Sequence, residues 1–144
     1  MIEVRFPDPQ FRTKIENGKR YIFDNIRKTW LLLTSEEWVR QNFVNYLIGE
    51  LKYPYANIAI EKEIRLHELK KRFDILVYDR LHQPWLMVEC KASEIPLTDE
   101  VLQQVLRYNI SVPVNYVVIT NGQSTVAWQK KDGQLVLVDQ LPAW

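Results

Sequence analysis

The stretch FDILVYDRLHQPWLMVECKA, Phe73 to Ala92, decides how this chain folds. Phe73 to Tyr78 is apolar except for Asp74, and Trp85 to Ala92 is apolar except for Glu89 and Lys91. Continuous apolar runs of this length suit central strands covered on both faces. Side chains alternate across a strand, so Glu89 and Lys91 share one face and Cys90 points the other way, toward a core. The link Asp79-Arg80-Leu81-His82-Gln83-Pro84 predicts an antiparallel hairpin centred between Leu81 and His82. Residue 79 then pairs with 84 and 78 with 85, and the same register sets Asp74 opposite Glu89. Cross-strand partners have β-carbons about 4.5 to 5.5 Å apart. Two carboxylates that close repel unless a cation lies between them, and oxygen ligands of this kind suit Mg²⁺ or Mn²⁺. The competing reading is a structural ion pair of Asp74 or Glu89 with Lys91. Burying such charges in apolar strands without a role costs several kcal/mol by ~order of magnitude.

Outward from this hairpin, residues 35 to 52 read as an amphipathic helix with Val39, Phe43, Tyr46, Leu47 and Leu51 at helical spacing. Thr34 is the expected N-cap, with Glu37 completing a capping box. Glu36 falls on the stripe of Val39 and Phe43, which makes it, rather than Glu37, the favoured helix acid and fourth residue of the site. Ile58, Ile60, Lys62 and Ile64 alternate with acids and Ala59 in a third strand. Thr98 caps a second helix through about Asn109, with Val101, Leu102, Val105 and Leu106 on its apolar face and Asp99 and Glu100 in its first turn. Asn115 to Thr120 is a buried strand, and Asp132-Gly133 turns a last hairpin. Residues 1 to 33 form a lead-in arm with a hairpin at Asn17-Gly18; Trp30 to Leu33 is a strand or a packed arm. The order is helix, three strands, helix, strand, hairpin. This is an α/β fold with a mixed sheet flanked by helices, in a single domain over 1–144 with its core at about 34–120.

The 144 residues and 47% hydrophobic content allow a core without staples. Five Trp and seven Tyr exclude a disordered chain, and a lone cysteine, Cys90, excludes an internal disulfide. No signal peptide or membrane span is visible, so a cytoplasmic protein is expected. Net charge is only +1. Nucleic-acid binders are usually more basic, so the cations must gather on one face or another subunit must supply grip. Arg27-Lys28 and Lys70-Lys71-Arg72 are the local basic clusters. His67 and His82 are isolated, in expected loops, without metal-ligand spacing. No zinc pattern, serine elbow or dinucleotide fingerprint is present.

Glu36 on a leading helix, Asp74, then Glu89-Cys90-Lys91 and a following helix resemble the PD-(D/E)XK nuclease superfamily, whose core runs αβββαβ. Phe73 stands where the motif's proline would be. More closely, Thr34-Ser35-Glu36-Glu37-Trp38-Val39-Arg40-Gln41 and Gln104-Val105-Leu106-Arg107-Tyr108 resemble the N-terminal nuclease domain of type I restriction enzyme R subunits, over about residues 20 to 120. The resemblance implies Mg²⁺-dependent (or Mn²⁺-dependent) hydrolysis of DNA phosphodiester bonds. Asp74, Glu89 and the Cys90 backbone carbonyl would hold the metal, with Lys91 acting on water or phosphate. Glu36 would assist, and Gln104 and Tyr108, on one helix face, would contact DNA or support the site. R subunits continue into an ATP-driven translocase, but no Gly-x-x-x-x-Gly-Lys-Ser/Thr loop occurs here and nothing follows Trp144. A free-standing module or a fragment is therefore expected, partnered by DNA and by a second copy or a separate translocase or specificity subunit. The alternative is a nucleic-acid-binding or assembly module on the same fold with little activity alone.

Overall fold

Two Asx-Gly pairs set the ends of the chain. Asn17 (φ 51°) with Gly18 (φ 75°) and Asp132 (φ 51°) with Gly133 (φ 75°) both take the left-handed conformation. Consecutive positive φ angles make the tight turns that match strand twist. The computed structural model describes residues 1–66 and 68–144; His67 lies outside them. Strands β1 (Thr13–Glu16), β2 (Lys19–Asp24) and β3 (Thr29–Leu32) form a three-stranded antiparallel sheet. Helix α1 (Ser35–Gly49) follows, then β4 (Ile58–Leu66), β5 (Leu69–Tyr78), β6 (Pro84–Cys90), helix α2 (Asp99–Asn109), β7 (Tyr116–Thr120), β8 (Thr125–Lys131) and β9 (Gln134–Val138).

Strands β4 to β9 make one sheet in sequence order. Only β6 and β7 run parallel, because α2 carries the chain back between them; the other neighbours are antiparallel. The expected terminal hairpin is therefore an extension of the main sheet. Ile75, Val77, Leu86, Val88 and Val118 pack with Val39, Phe43 and Leu47 of α1. Leu76, Met87, Val117 and Ile119 pack with Val105 of α2. The alternating residues of β5, β6 and β7 thus serve two cores, as their unbroken apolar sequences require.

Two departures from expectation shape the site. Pairing of β5 with β6 runs Ile75↔Val88, Leu76↔Met87, Val77↔Leu86, then shifts to Tyr78↔Pro84. The predicted pairs 78 with 85 and 79 with 84 do not form. Pro84 has no N–H, starts the strand, and leaves Trp85 as the extra residue of a bulge. The inner register is nonetheless the predicted one, because the bulge lies outside it.

The second departure is an inversion. Ile58 and Ile60 pack on the α1 side, whereas Ile64 packs on the α2 side. On the neighbouring strand Phe73 is on the α2 side and Ile75 on the α1 side. Residues two or four apart should share a face, so both strands turn over between these positions. The register skips Glu61 and Asp74 there, and Glu61 takes φ 51°. Asp74 therefore occupies a break in the sheet, where the β5–β6 ladder has already ended at Ile75.

Candidate active site

The break aims Asp74 sideways, along the sheet. Its Oδ2 accepts from the Cys90 backbone N–H at 2.8 Å. Asp74 and Glu89 are thus neighbours by register, but Asp74 is anchored to the β6 backbone instead of standing as a ladder partner. The Asp74 charge acts on the Glu89 carboxyl. Lys91 lies one residue beyond β6, held by its N–H to the Thr120 carbonyl at 2.8 Å, and its Nζ is 3.8 Å from Glu89 Oε1. Cys90 is buried on the opposite side, as alternation predicts, and burial followed by the Asp74 charge pushes its thiol pKa well up. It is a core residue, with no thiolate to offer.

Helix α1 supplies the acids and also a cation. Thr34 caps it, accepting from the Glu37 N–H at 3.0 Å. The other half of the expected capping box is replaced: the Glu37 carboxylate accepts from Arg27, Arg40 and Gln41. Glu37, not Glu36, lies on the buried stripe. Glu36 is exposed at the rim, facing Asp74. Burial and then the Asp74 charge raise its pKa. The rim position is what brings Glu36 into the site, for a different reason than the predicted apolar stripe.

Arg40 is the residue that sequence reasoning passed over. It is 5% exposed, and its guanidinium reaches Glu37 at 2.8 Å, Asp74 Oδ1 at 3.2 Å and Glu36 at 3.3 Å. Its Nε has no partner among the described residues. Burial alone would lower its pKa, but Glu37 and Asp74 outweigh this and raise it. Arg27 forms a second bridge, to Asp24 at 2.7 Å, Glu61 at 3.0 Å and Glu37 at 3.1 Å. Asp24 is fully buried; burial would raise its pKa, yet the bonds from Arg27 and Gln41 hold it below the usual range. The spacing Glu36-Glu37-x-x-Arg40 was the available signal, since residues three and four apart meet on a helix.

Glu89 opens onto a cleft of about 940 Å³ between the end of β6 and α2. Lys91, Gln104, Tyr108, Arg72 and Arg107 line it as well, which sets Gln104 and Tyr108 in one cleft with Glu89 and Lys91; Asp74 and Glu36 are not among its lining residues. Lys71 lies with its ammonium 4.6 Å from the Tyr108 ring centroid. Three cations, Arg72, Lys91 and Arg107, and two acids, Glu89 and Glu100, line the cleft. Glu36 and Asp74 act on Glu89 through their charges.

Burial, followed by the Asp74 charge, raises the Glu89 pKa from its ordinary 4.5 to about 7. Folded protein thus keeps this proton to about pH 7, whereas unfolded chain releases it near 4.5. Between those values the native state binds more protons, so its stability falls as pH rises. Above pH ~7 the full cost is present, on the order of 3 kcal/mol. Glu89→Gln should therefore raise the Tm of metal-free protein at about pH 8 by several degrees and leave it nearly unchanged at about pH 4. An equal Tm change at both pH values would contradict this account of Glu89.

Repulsion between Asp74 and Glu89 is the condition that a divalent cation relieves. Among the described residues no three His, Cys, Asp or Glu side chains form a metal cage. Two carboxylates suffice for Mg²⁺, which keeps several waters and binds through one or two carboxylates plus substrate phosphates. The donor chemistry fits.

A helix acid, acids on two neighbouring strands and a lysine two residues after the second acid thus stand near one another. The sequence pattern of the family described as type I restriction enzyme R protein N terminus matches residues 35–142, and the chain belongs to that family. No curated protein gives a significant match.

Proposed function

We propose that this domain hydrolyses DNA phosphodiester bonds with Mg²⁺ or Mn²⁺. The observation that carries the reading is the sheet break that sets Asp74 against Cys90 and Glu89, with Lys91 beside Glu89 in a cleft also lined by Arg72 and Arg107. Asp74, Glu89 and the Cys90 carbonyl would hold the metal. When bound, it supplies charge neutralisation and a water of lowered pKa. Lys91 places its ammonium against a phosphate oxygen and orients the attacking water. Glu89, whose metal-free carboxyl titrates about pH 7, would release that proton to serve as a ligand. Glu36 sits at the rim to orient water, and Gln104 and Tyr108 offer donors to the DNA backbone. DNA is the substrate in this reading, and other subunits of a restriction complex, or a second copy, are its partners. No helix among the described residues is long and apolar enough to cross a membrane.

One observation favours the second reading, a binding module with little activity alone. Both Asp74 oxygens already accept from donors, Arg40 and the Cys90 N–H. A metal must share Asp74 with Arg40. Incubation with supercoiled plasmid and single-stranded DNA in Mg²⁺ or Mn²⁺ separates the two. Metal-dependent nicking supports hydrolysis, and DNA binding without nicking supports the second reading. Absence of both metal and DNA binding sinks both.

A further inference from the structure

The acidic site leaves one basic and aromatic surface unused. Residues 11–33 carry six Lys or Arg and two Asp or Glu, while the whole chain is only +1, so the remainder is net acidic. The net positive charge of the protein is therefore on the arm. Within it, Lys14 pairs with Tyr21, Tyr21 with Leu32, and Phe23 with Trp30. Cross-strand partners share a face, so Lys14, Tyr21, Phe23, Trp30 and Leu32 stand on one side of the β1–β3 sheet. The opposite side carries Ile22 and Asp24, both fully buried, with Asp24 bonded to Gln41 of α1. The Lys14 side is therefore the outer one. Its three rings are half-buried and belong to neither core.

Cations are interleaved with these rings. The Arg12 guanidinium lies 4.6 Å from the Phe23 centroid and 5.5 Å from that of Trp30. Lys14 Nζ lies 4.5 Å from Trp30 and 5.9 Å from Tyr21. Glu16 faces Lys14 at 3.1 Å. Ring contacts restrict the Arg12 and Lys14 side chains, so less freedom is lost when they meet a phosphate. Guanidinium and indole planes also offer stacking surfaces. A duplex presents this face with phosphates only, whereas unpaired bases present ring faces too. We infer that the outer face of the β1–β3 sheet binds single-stranded nucleic acid, with Arg12 and Lys14 on phosphates and Trp30, Phe23 and Tyr21 stacking bases. The inference does not depend on chemistry at Asp74 and Glu89. Arg27, in the turn between β2 and β3, ties this sheet to Glu37 and Glu61 beside the acidic site.

The test is fluorescence anisotropy of the full chain with labelled oligothymidylate of about 15 nucleotides, in EDTA so that cleavage plays no part. The single strand should bind more tightly than a duplex of equal length. The Arg12→Gln/Lys14→Gln double variant should weaken binding about tenfold or more and reduce the salt slope by about 1.4. Trp30→Leu should also weaken binding, while Lys131→Gln on β8 should not. Far-UV circular dichroism checks that each variant folds. Equal binding of single strand and duplex, or unchanged affinity in the double variant, overturns the assignment. So does a dimer in sedimentation that Trp30→Leu dissolves, which would give this face to a second copy. Either failure leaves metal-dependent nicking untouched, so the two proposals stand or fall separately.

Discussion

Lys91→Ala is expected to lower metal-dependent DNA nicking by about a hundredfold or more, without unfolding the domain or weakening Mn²⁺ binding. The magnitude is that of removing one preorganised group from developing charge. The side chain is one-third exposed, stands 3.8 Å from Glu89, and lines the cleft. Its backbone, not its ammonium, holds the strand end through the Thr120 carbonyl, so truncation costs little stability. Nicking, Mn²⁺ calorimetry and thermal unfolding on one preparation give the three readouts. Retained nicking would remove Lys91 from the mechanism, and lost Mn²⁺ binding would make it a structural partner of Glu89.

Arg40→Met should destabilise the fold by about 3–5 kcal/mol at neutral pH, the cost of leaving buried charge without its partner. Met keeps the apolar stem, so the loss reports mainly the guanidinium. Arg40 and Glu37 side chains are 6% and 8% exposed and 2.8 Å apart. Removing the cation leaves Glu37 with Arg27 and Gln41 and leaves Asp74 Oδ1 without its donor. Urea unfolding measures the change. A loss below about 1 kcal/mol, the range of exposed pairs, would show that Arg27 carries the network by itself.

Much of this architecture was written in local sequence. The apolar runs around Asp74 and Glu89 require strands covered on both faces. Asn17-Gly18 and Asp132-Gly133 require tight turns, and Thr34 and Thr98 start the helices. The inner hairpin register followed from centring the loop between Leu81 and His82, although the two outermost pairs expected from it do not form. What escaped had causes far apart in the chain. Ile58, Ile60 and Ile64 read as one continuous face, and nothing in that spacing reveals that the strand turns over at Glu61. The turnover depends on Asp74 finding Cys90 and Arg40, contacts 16 and 34 residues away. Glu36 was placed on the buried stripe of α1 by its spacing from Val39 and Phe43, with Glu37 taken up by the capping box. Burial of Glu37 instead depends on Arg27 from the arm and Arg40 one helical turn on.

Isothermal titration of the metal-free protein with Mn²⁺, between about pH 5.5 and 8.5, tests the central claim most directly. If Asp74 and Glu89 form the metal site, affinity rises with pH through about 7 as Glu89 gives up its proton. Close to one proton should be released per metal on the acidic side of that value, and Asp74→Asn should abolish binding. Affinity that is flat across this range, or unchanged in Asp74→Asn, would contradict a metal site built on these two carboxylates.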